Sequence, residues 1–351
     1  MPLYANKQSG LALITVLFIF ALVSLLAVSM QKRQVMSMAQ ASATFNRTQA
    51  MLLAVSAEDI AKAFLKLDGK RDLDQNEEWD GAVELWNQPF TTELSGAEVF
   101  INIRDLQGLF NLNSLMPGDD AEEARQRFER LLNDLSLPLS ANPATIALQT
   151  KNWLDTSTSA SNTYQNLTPP YSASGMAFSH PSELLLLEGV DRETYLIIEP
   201  YVTALPSGTA LNVNTTHEII LQAWDVKLTQ ADAKTVTDEA RAGSCGLKVR
   251  NDHIFQGKED FKKNAVIERL LDATKNKDGY KNWEEGNFAV QSNYFSVLIQ
   301  IKIKQDSDST ELVLESIIKR DMGQDGFIGV VYRDFSRKIE DITTRLKIIN
   351  C

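Results

Sequence analysis

Some twenty uncharged residues, from Leu11 to Met30, follow a polar leader ending Lys7-Gln8-Ser9-Gly10, and such a run is long enough to cross a bilayer as a helix. A chain with this opening has to set one end in lipid and fold the remainder in water. The remainder suits that: 23% of the 351 residues are charged and the formal net charge is −11. A secretory signal peptide has an apolar stretch of roughly 7–15 residues and a small-residue cleavage site behind it. Here the run is longer, and Ala27-Val28-Ser29-Met30 leads directly into Gln31-Lys32-Arg33 without such a site. The small residue, Gly10, precedes the run instead. Lys32 and Arg33 after the span, against Lys7 before it, oppose the positive-inside tendency.

Neither Gly nor Pro occurs from Leu11 to Asp68, so nothing in the composition ends the helix there. At 1.5 Å per residue it would be about 85 Å long, more than a bilayer needs. Its second half is amphipathic: Ala50, Leu53, Ala57, Ile60, Phe64 and Leu67 recur at three- and four-residue spacing, with Lys62 and Lys66 elsewhere. That spacing predicts a helix with those six residues packed on a sheet.

The sheet is legible in Glu98–Arg104, which partly alternates, and in Asn287–Lys304 and Glu311–Arg320, two β-branched runs joined by polar Gln305–Ser309. Between the strands the period becomes helical. Asp119 and Asp120 open a helix with Glu122 and Glu123 in its first turn and Ala124, Phe128, Leu131 and Leu135 along one side. Asn142-Pro143 starts another. Pro181 begins a helix through Glu188, Gly189 suits its left-handed end, and Asp191 caps the next. Thr215-x-x-Glu218 reads as a capping box and Lys258–Lys275 as a further helix. The expected fold is α+β: a long N-terminal helix on an antiparallel sheet formed by residues 69–105 and 286–351, with an all-helical domain, 106–285, inserted.

Composition argues against several functions. The turn at Gly189-Val190 is similar to a helix-hairpin-helix, but Glu183, Glu188, Asp191, Glu193 and Glu199 surround it and would repel phosphate, so no nucleic-acid partner is expected. The three histidines, His180, His217 and His253, have no metal-binding spacing, and no nucleophile elbow or phosphate loop is present. Asp72-x-Asp74-x-Asn76 opens like a calcium loop, yet Glu77 and Val83 occupy its Gly and closing Glu places, so it reads as a solvated linker.

Gly10 followed by Leu11-Ala12-Leu13-Ile14-Thr15-Val16-Leu17 resembles the leader of type IV pilins and their secretion-system relatives; an ordinary signal anchor with a chance glycine shares these features. Further motifs are more specific. Asp105-Leu-Gln-Gly108-Leu-Phe-Asn111-Leu-Asn113, Asn152-Trp153-Leu154-Asp155, Pro181-Ser-Glu183-Leu-Leu-Leu-Leu-Glu-Gly189-Val190, Tyr201-Val-Thr203-Ala-Leu205-Pro206 and Asn212-Val-Asn214-Thr215-Thr216 occur in order. Together they resemble the protein K family of minor pseudopilins in type II secretion systems.

The resemblance implies a leader, residues 1–10, removed by a prepilin peptidase between Gly10 and Leu11, with methylation of the new terminus. It implies a transmembrane part at 11–30, a periplasmic helical part at 31–68, and a single-pass inner-membrane protein with a large periplasmic head. Most relatives of the pilin type have a Glu at mature position five; Thr15 stands there, as in protein K. The implied role is non-enzymatic: at the tip of the pseudopilus, beside minor pseudopilins I and J, the subunit would prime or cap the filament and support export of folded proteins. Family members can bind calcium through acidic loops of the helical domain, but Asp155 is the lone carboxylate in the matching loop here, which makes it a poor site; no cofactor is expected, and calcium is the one that the resemblance leaves open. In a head outside the cytoplasmic membrane, Cys245 and Cys351 suit a disulfide. It would close a loop of about 105 residues, worth ~4 kcal/mol if unstrained. Two other readings stand beside this one: a minor pilin at a type IV pilus tip, and a signal-anchored periplasmic enzyme using Cys245, in Gly243-Ser-Cys245-Gly246, as nucleophile.

Overall fold

The computed structural model describes residues 9–75, 79–155, 157, 164–165, 168–240, 254–274, 282–284, 286–305, 308–321 and 327–335. The first element, α1 (Ser9–Gln75), is one continuous helix that passes through Gly69. Gly69 is buried, and packing there offsets the ~1 kcal/mol by which glycine disfavours a helix. The buried stripe of α1 differs from the expected one. It runs Asn46, Ala50, Leu53, Ala54, Ala57, Glu58, Ala61, Leu65, whereas Leu67 is 66% exposed, Phe64 is 39% exposed and Ile60 is only partly buried. A rigid three-four alternation gains on the 3.6-residue turn, so the true face rotates away from Phe64 and Leu67 after one or two turns. Alanine dominates the real stripe, and its small side chain lets the helix axis lie close to the strands.

Five antiparallel strands form the sheet under α1: β1 (Phe90–Leu94), β2 (Ala97–Asp105), β7 (Tyr294–Gln305), β8 (Asp308–Arg320) and β9 (Ile328–Asp334), in that spatial order. Val99, Ile101 and Ile103 of β2, Phe295, Val297, Ile299 and Ile301 of β7, and Leu312, Leu314 and Ile318 of β8 turn one face toward α1 and form one core with its alanines. The β7–β8 hairpin joins Tyr294 opposite Lys319 to Gln305 opposite Asp308.

The remaining strands, β3 (Phe110–Asn111), β4 (Val202–Thr203), β5 (Leu211–Asn212) and β6 (Phe288–Ala289), make two short parallel pairs, β3 with β4 and β5 with β6. They belong to the inserted part, which holds α2 (Ala121–Asp134), α3 (Pro143–Leu154), α4 (Arg192–Ile198), α5 (Glu218–Trp224), α6 (Gln230–Ala240), α7 (Lys258–Lys262) and α8 (Ala265–Thr274) around a second core. Phe288 and Val290 pack in this second core, so the chain re-enters the sheet only at Tyr294.

Local chemistry explains where these helices begin. Asn142 caps α3 through Thr145 N–H and Asp191 caps α4 through Thr194 N–H. Gly189 has φ +86°, a left-handed conformation that favours glycine. Three details depart from the sequence reading. Pro181–Leu186 is a 3-10 turn that His180 caps. The expected helix at Lys258–Lys275 is broken into α7 and α8 at Lys263 and Asn264, because the Asn264 side chain accepts from Val266 and Ile267 N–H and starts a new helix. The third is the start of α5: its cap is His217, not Thr215, and the Thr215 hydroxyl donates to Asp105.

Candidate functional site

Every large apolar side chain from Leu11 to Met30 is more than half exposed on the free chain, and α1 first becomes buried at Asn46. About 35 residues of helix, roughly 50 Å, therefore carry their apolar surface with no cover from the head. It is a helix long and apolar enough to cross a membrane. The expected cleavage point between Gly10 and Leu11 falls inside α1, one residue after its start at Ser9. Thr15 is exposed, and its hydroxyl donates to the Ala12 carbonyl at 2.9 Å within the helix.

Where α1 reaches the head, a buried charged junction joins it to the connection before β1 and to the end of β8. The Arg320 guanidinium donates to Asp68 of α1 at 3.0 Å, to Asp80 in a very short contact, and to the Leu65 and Ser292 carbonyls. Its flat face covers the Phe295 ring, 4.7 Å from the centroid. Glu84 stands beside them. Its Oε2 accepts from Gly81 N–H and from the Trp86 indole, both at 2.9 Å. Burial, opposed by the Arg320 charge, pushes the Asp80 carboxyl up to about 6. Burial together with the Asp68 and Asp80 charges pushes Glu84 to about 9. Carboxylate oxygens of Asp68, Asp80 and Glu84 lie within 4.8 Å of one another, and Arg320 pairs with two of them, Asp68 and Asp80.

The motif residues from Asp105 to Thr216 meet in a second buried network, between the sheet and the insert. Asp105 accepts from Asn212 Nδ2 at 2.9 Å, Ser292 Oγ at 2.7 Å, Thr215 Oγ1 at 2.5 Å and Gln107 N–H at 2.7 Å. Burial raises its carboxyl even against these four bonds. Asn212 Nδ2 also reaches the Asp80 carbonyl, so the two networks touch. Asn113 bonds Phe178 and Leu205, Asn111 bonds Leu205 N–H and the Pro206 carbonyl, and Asn214 bonds Phe255 through both its amide groups. Gly108 has to be glycine, since a Cβ there would lie 2.6 Å from Thr215 Oγ1 and 2.8 Å from its carbonyl oxygen. In each case a side-chain amide replaces missing strand or helix partners for distant backbone, which buried irregular chain requires. The motif side chains thus join segments from 41 to 187 residues apart.

His180 caps its turn through Nδ1 and stacks on Tyr332 of β9 at 5.6 Å. His217 caps α5. Asp155 accepts from Ser157 N–H and hydroxyl, closing its own turn. Cys245, His253 and Cys351 lie outside the described residues, as do Asn76 and Glu77. The sequence reading missed Glu58, Asp80, Glu84 and Arg320, all buried ionisable groups. The signal for Glu58 was present as a charge on the alanine stripe of α1.

The fold has a solved counterpart. A chain in the crystal structure of the GspK–GspI–GspJ complex of the type 2 secretion system of enterotoxigenic Escherichia coli superposes with a TM-score of 0.66 at 21% identity, covering 85% of this chain and 100% of that one. The long apolar helix seated on this sheet fits a single-pass subunit with a pilin-like fold. Residues 108–207 match the family described as type II secretion system (T2SS), protein K. The chain is 32% identical over 256 residues to the type II secretion system protein K of Klebsiella pneumoniae, covering 68% of this chain and 77% of that one. It is 28% identical over 344 residues to that of Pseudomonas aeruginosa, covering 94% and 93%. The chain belongs to the type II secretion system protein K family and is a minor pseudopilin.

Proposed function

We propose that this minor pseudopilin occupies the tip of the periplasmic pseudopilus, where it primes or caps filament assembly without catalysing a reaction. Held in the inner membrane by Leu11–Met30, it would be cut between Gly10 and Leu11 by a prepilin peptidase. The bare part of α1 would then lie beside minor pseudopilins I and J and the pseudopilus filament. The observation that carries this reading is the division of α1 at Asn46. The part before it buries nothing on its own head, and the part after it is fixed to the sheet by Glu58, Leu65 and Asp68. A helix so divided is a stalk whose uncovered part needs lipid first and other helices later. The solved counterpart is a chain of a GspK–GspI–GspJ complex, which supports I and J as the neighbours. Thr15 supports a terminal position, since it offers no carboxylate to the amine of an adjacent subunit. No cofactor enters this reading, and Cys245 and Cys351 are assigned to a disulfide.

Mass spectrometry and N-terminal sequencing of the protein expressed with and without a prepilin peptidase test it. A mature chain beginning at Leu11 only in the presence of the peptidase, and co-purifying with I and J, supports the reading. A chain cut after Ala27 or Ser29, or never cut, overturns it. Thiol alkylation of the native protein separates the disulfide from a nucleophilic Cys245, because only the latter leaves a reactive thiol.

A further inference from the structure

The face of the sheet turned away from α1 meets the insert across a cleft. Its floor comes from alternate residues of three strands: Asn102 and Arg104 of β2, Ser296 and Leu298 of β7, and Glu315 and Ile317 of β8. The insert supplies the opposite wall through His180, Pro181, Glu199 and Val202, and Arg104 spans the gap by donating to the Pro200 carbonyl at 2.7 Å. The free space is about 80 Å³, several times what one water needs. Side chains of another segment fit such a space, whereas a whole helix does not. The strand register leads from this floor to the end of the sheet. Asn102 lies opposite Leu298, Leu298 opposite Glu315, and Glu315 opposite Asp334 of β9. The next row runs Arg104, Ser296, Ile317, Tyr332, and Tyr332 stacks on His180, so β9 stands at the rim of the cleft. The strand ends there, at Asp334.

We propose that the C-terminal segment, residues 336–351, folds back over this face and seats its apolar side chains in the cleft. The segment lies outside the described residues, and its sequence and its starting point carry the assignment. It holds Ile339, Ile342, Leu346, Ile348 and Ile349, side chains that gain by leaving water. In a chain of net charge −11 it is cationic, with Arg337, Lys338, Arg345 and Lys347 against Glu340 and Asp341. The cleft sets Glu199 and Glu315 against Arg104, and Asp334 extends the Glu315 row at the point where the segment begins. Reach is ample: from β9 to β2 is three strand spacings, about 14 Å, and the segment can span about 50 Å. Because it starts at the rim, it meets the cleft at an effective concentration on the order of millimolar, whereas any other protein has to bind from solution. The chain end is thereby a strap that holds sheet and insert together on the side away from α1.

The experiment uses the full-length protein in detergent micelles. The photoreactive residue benzoylphenylalanine, placed at Ile342 or at Leu346, should crosslink within one chain to peptides containing Arg104–Leu109, Val202–Ala204 or Ser296–Leu298, identified by mass spectrometry. Amides of residues 342–349 should exchange about tenfold or more slowly than in an unfolded chain. Leu346→Asp should return them to the unfolded rate and leave protection of β7 and β8 as in the wild type. Crosslinks to other surfaces of the head, to α1 or to a second chain overturn the strap. So do wild-type amides already at the unfolded rate, or protection indifferent to Leu346→Asp. Were Leu346→Asp not to fold, the wild-type exchange and the crosslinks alone would still support the strap or overturn it.

Discussion

Arg333 of β9 reaches across the sheet to Glu58 of α1 and makes two hydrogen bonds, at 2.8 and 2.7 Å, to a carboxylate that is fully buried. Ser316 of β8 donates to the same group at 2.7 Å. One carboxylate on the alanine face of α1 thus fixes the helix to two strands.

Removing the cation should cost more than the exposed position of Arg333 suggests. Arg333→Ala leaves Glu58 buried with Ser316 and the more distant Lys62, at 3.8 Å. A loss of about 2 kcal/mol is expected, below the ~3–5 kcal/mol of a fully buried pair because Arg333 is part exposed. Burial works to raise the Glu58 carboxyl, but the Arg333 and Ser316 bonds prevail and its pKa is lowered. Stability from this pair is therefore present above about pH 4.5 and lost as pH falls through the lowered value. Denaturant midpoints of the two proteins, measured from pH 7 down to pH 3, should converge.

Glu84 has the opposite sign. Its carboxyl is raised to about 9, so the folded state keeps a proton that the unfolded chain releases above about pH 4.5. Its contribution falls as pH climbs from about 4.5 to about 9 and is level beyond. Glu84→Gln, which keeps the shape and the acceptor oxygen, should leave stability at pH 4 nearly unchanged and raise it at pH 8 by on the order of 2 kcal/mol. Thermal unfolding at the two pH values checks this.

Asn212 is fully buried and serves Asp105, Ser292 and the Asp80 carbonyl with one amide nitrogen. Asn212→Ala leaves these acceptors and Asn214 N–H without that partner, and a cost of about 3 kcal/mol is expected. Loss of amide protection should centre on Asp105–Gln107 and Asn214 before it reaches β8.

At Gly108 a methyl group has nowhere to go, because Thr215 backbone atoms lie 2.8 and 2.9 Å from its position. Gly108→Ala should cost ~2 kcal/mol or more through displacement of the Thr215 turn, while Gly208→Ala, with open space around the same atom, should cost less despite its φ of +80°. Paired denaturation curves decide the comparison.

The elements with one strong period were legible in the sequence: the uncharged helix, the β7–β8 hairpin and the α2 stripe. β1 was missed because Thr91, Thr92 and Glu93 are all exposed and give no alternation. β9 was missed because Gly329 and a register shift opposite Ile317/Ile318 interrupt its pattern. Thr215 was misread as a cap because its buried partner, Asp105, is 110 residues away, and local spacing carries no trace of that. The same distance hid the charged junction. Its members are ordinary charged residues in the sequence, and only the fold brings Asp68, Asp80, Glu84 and Arg320 together.

The insert leaves the sheet after Asp105 and returns at Tyr294, yet Asp105 is paired with Phe295 and Leu106 N–H bonds the Tyr294 carbonyl at 3.0 Å. Its two ends are thus neighbours on one ladder, and the whole helical domain occupies the place of a hairpin loop. Lengthening such a loop costs little once its ends are pinned. The bulk of the head is thereby set independently of the helix and sheet that seat it, so a large or a small insert could ride on the same stalk.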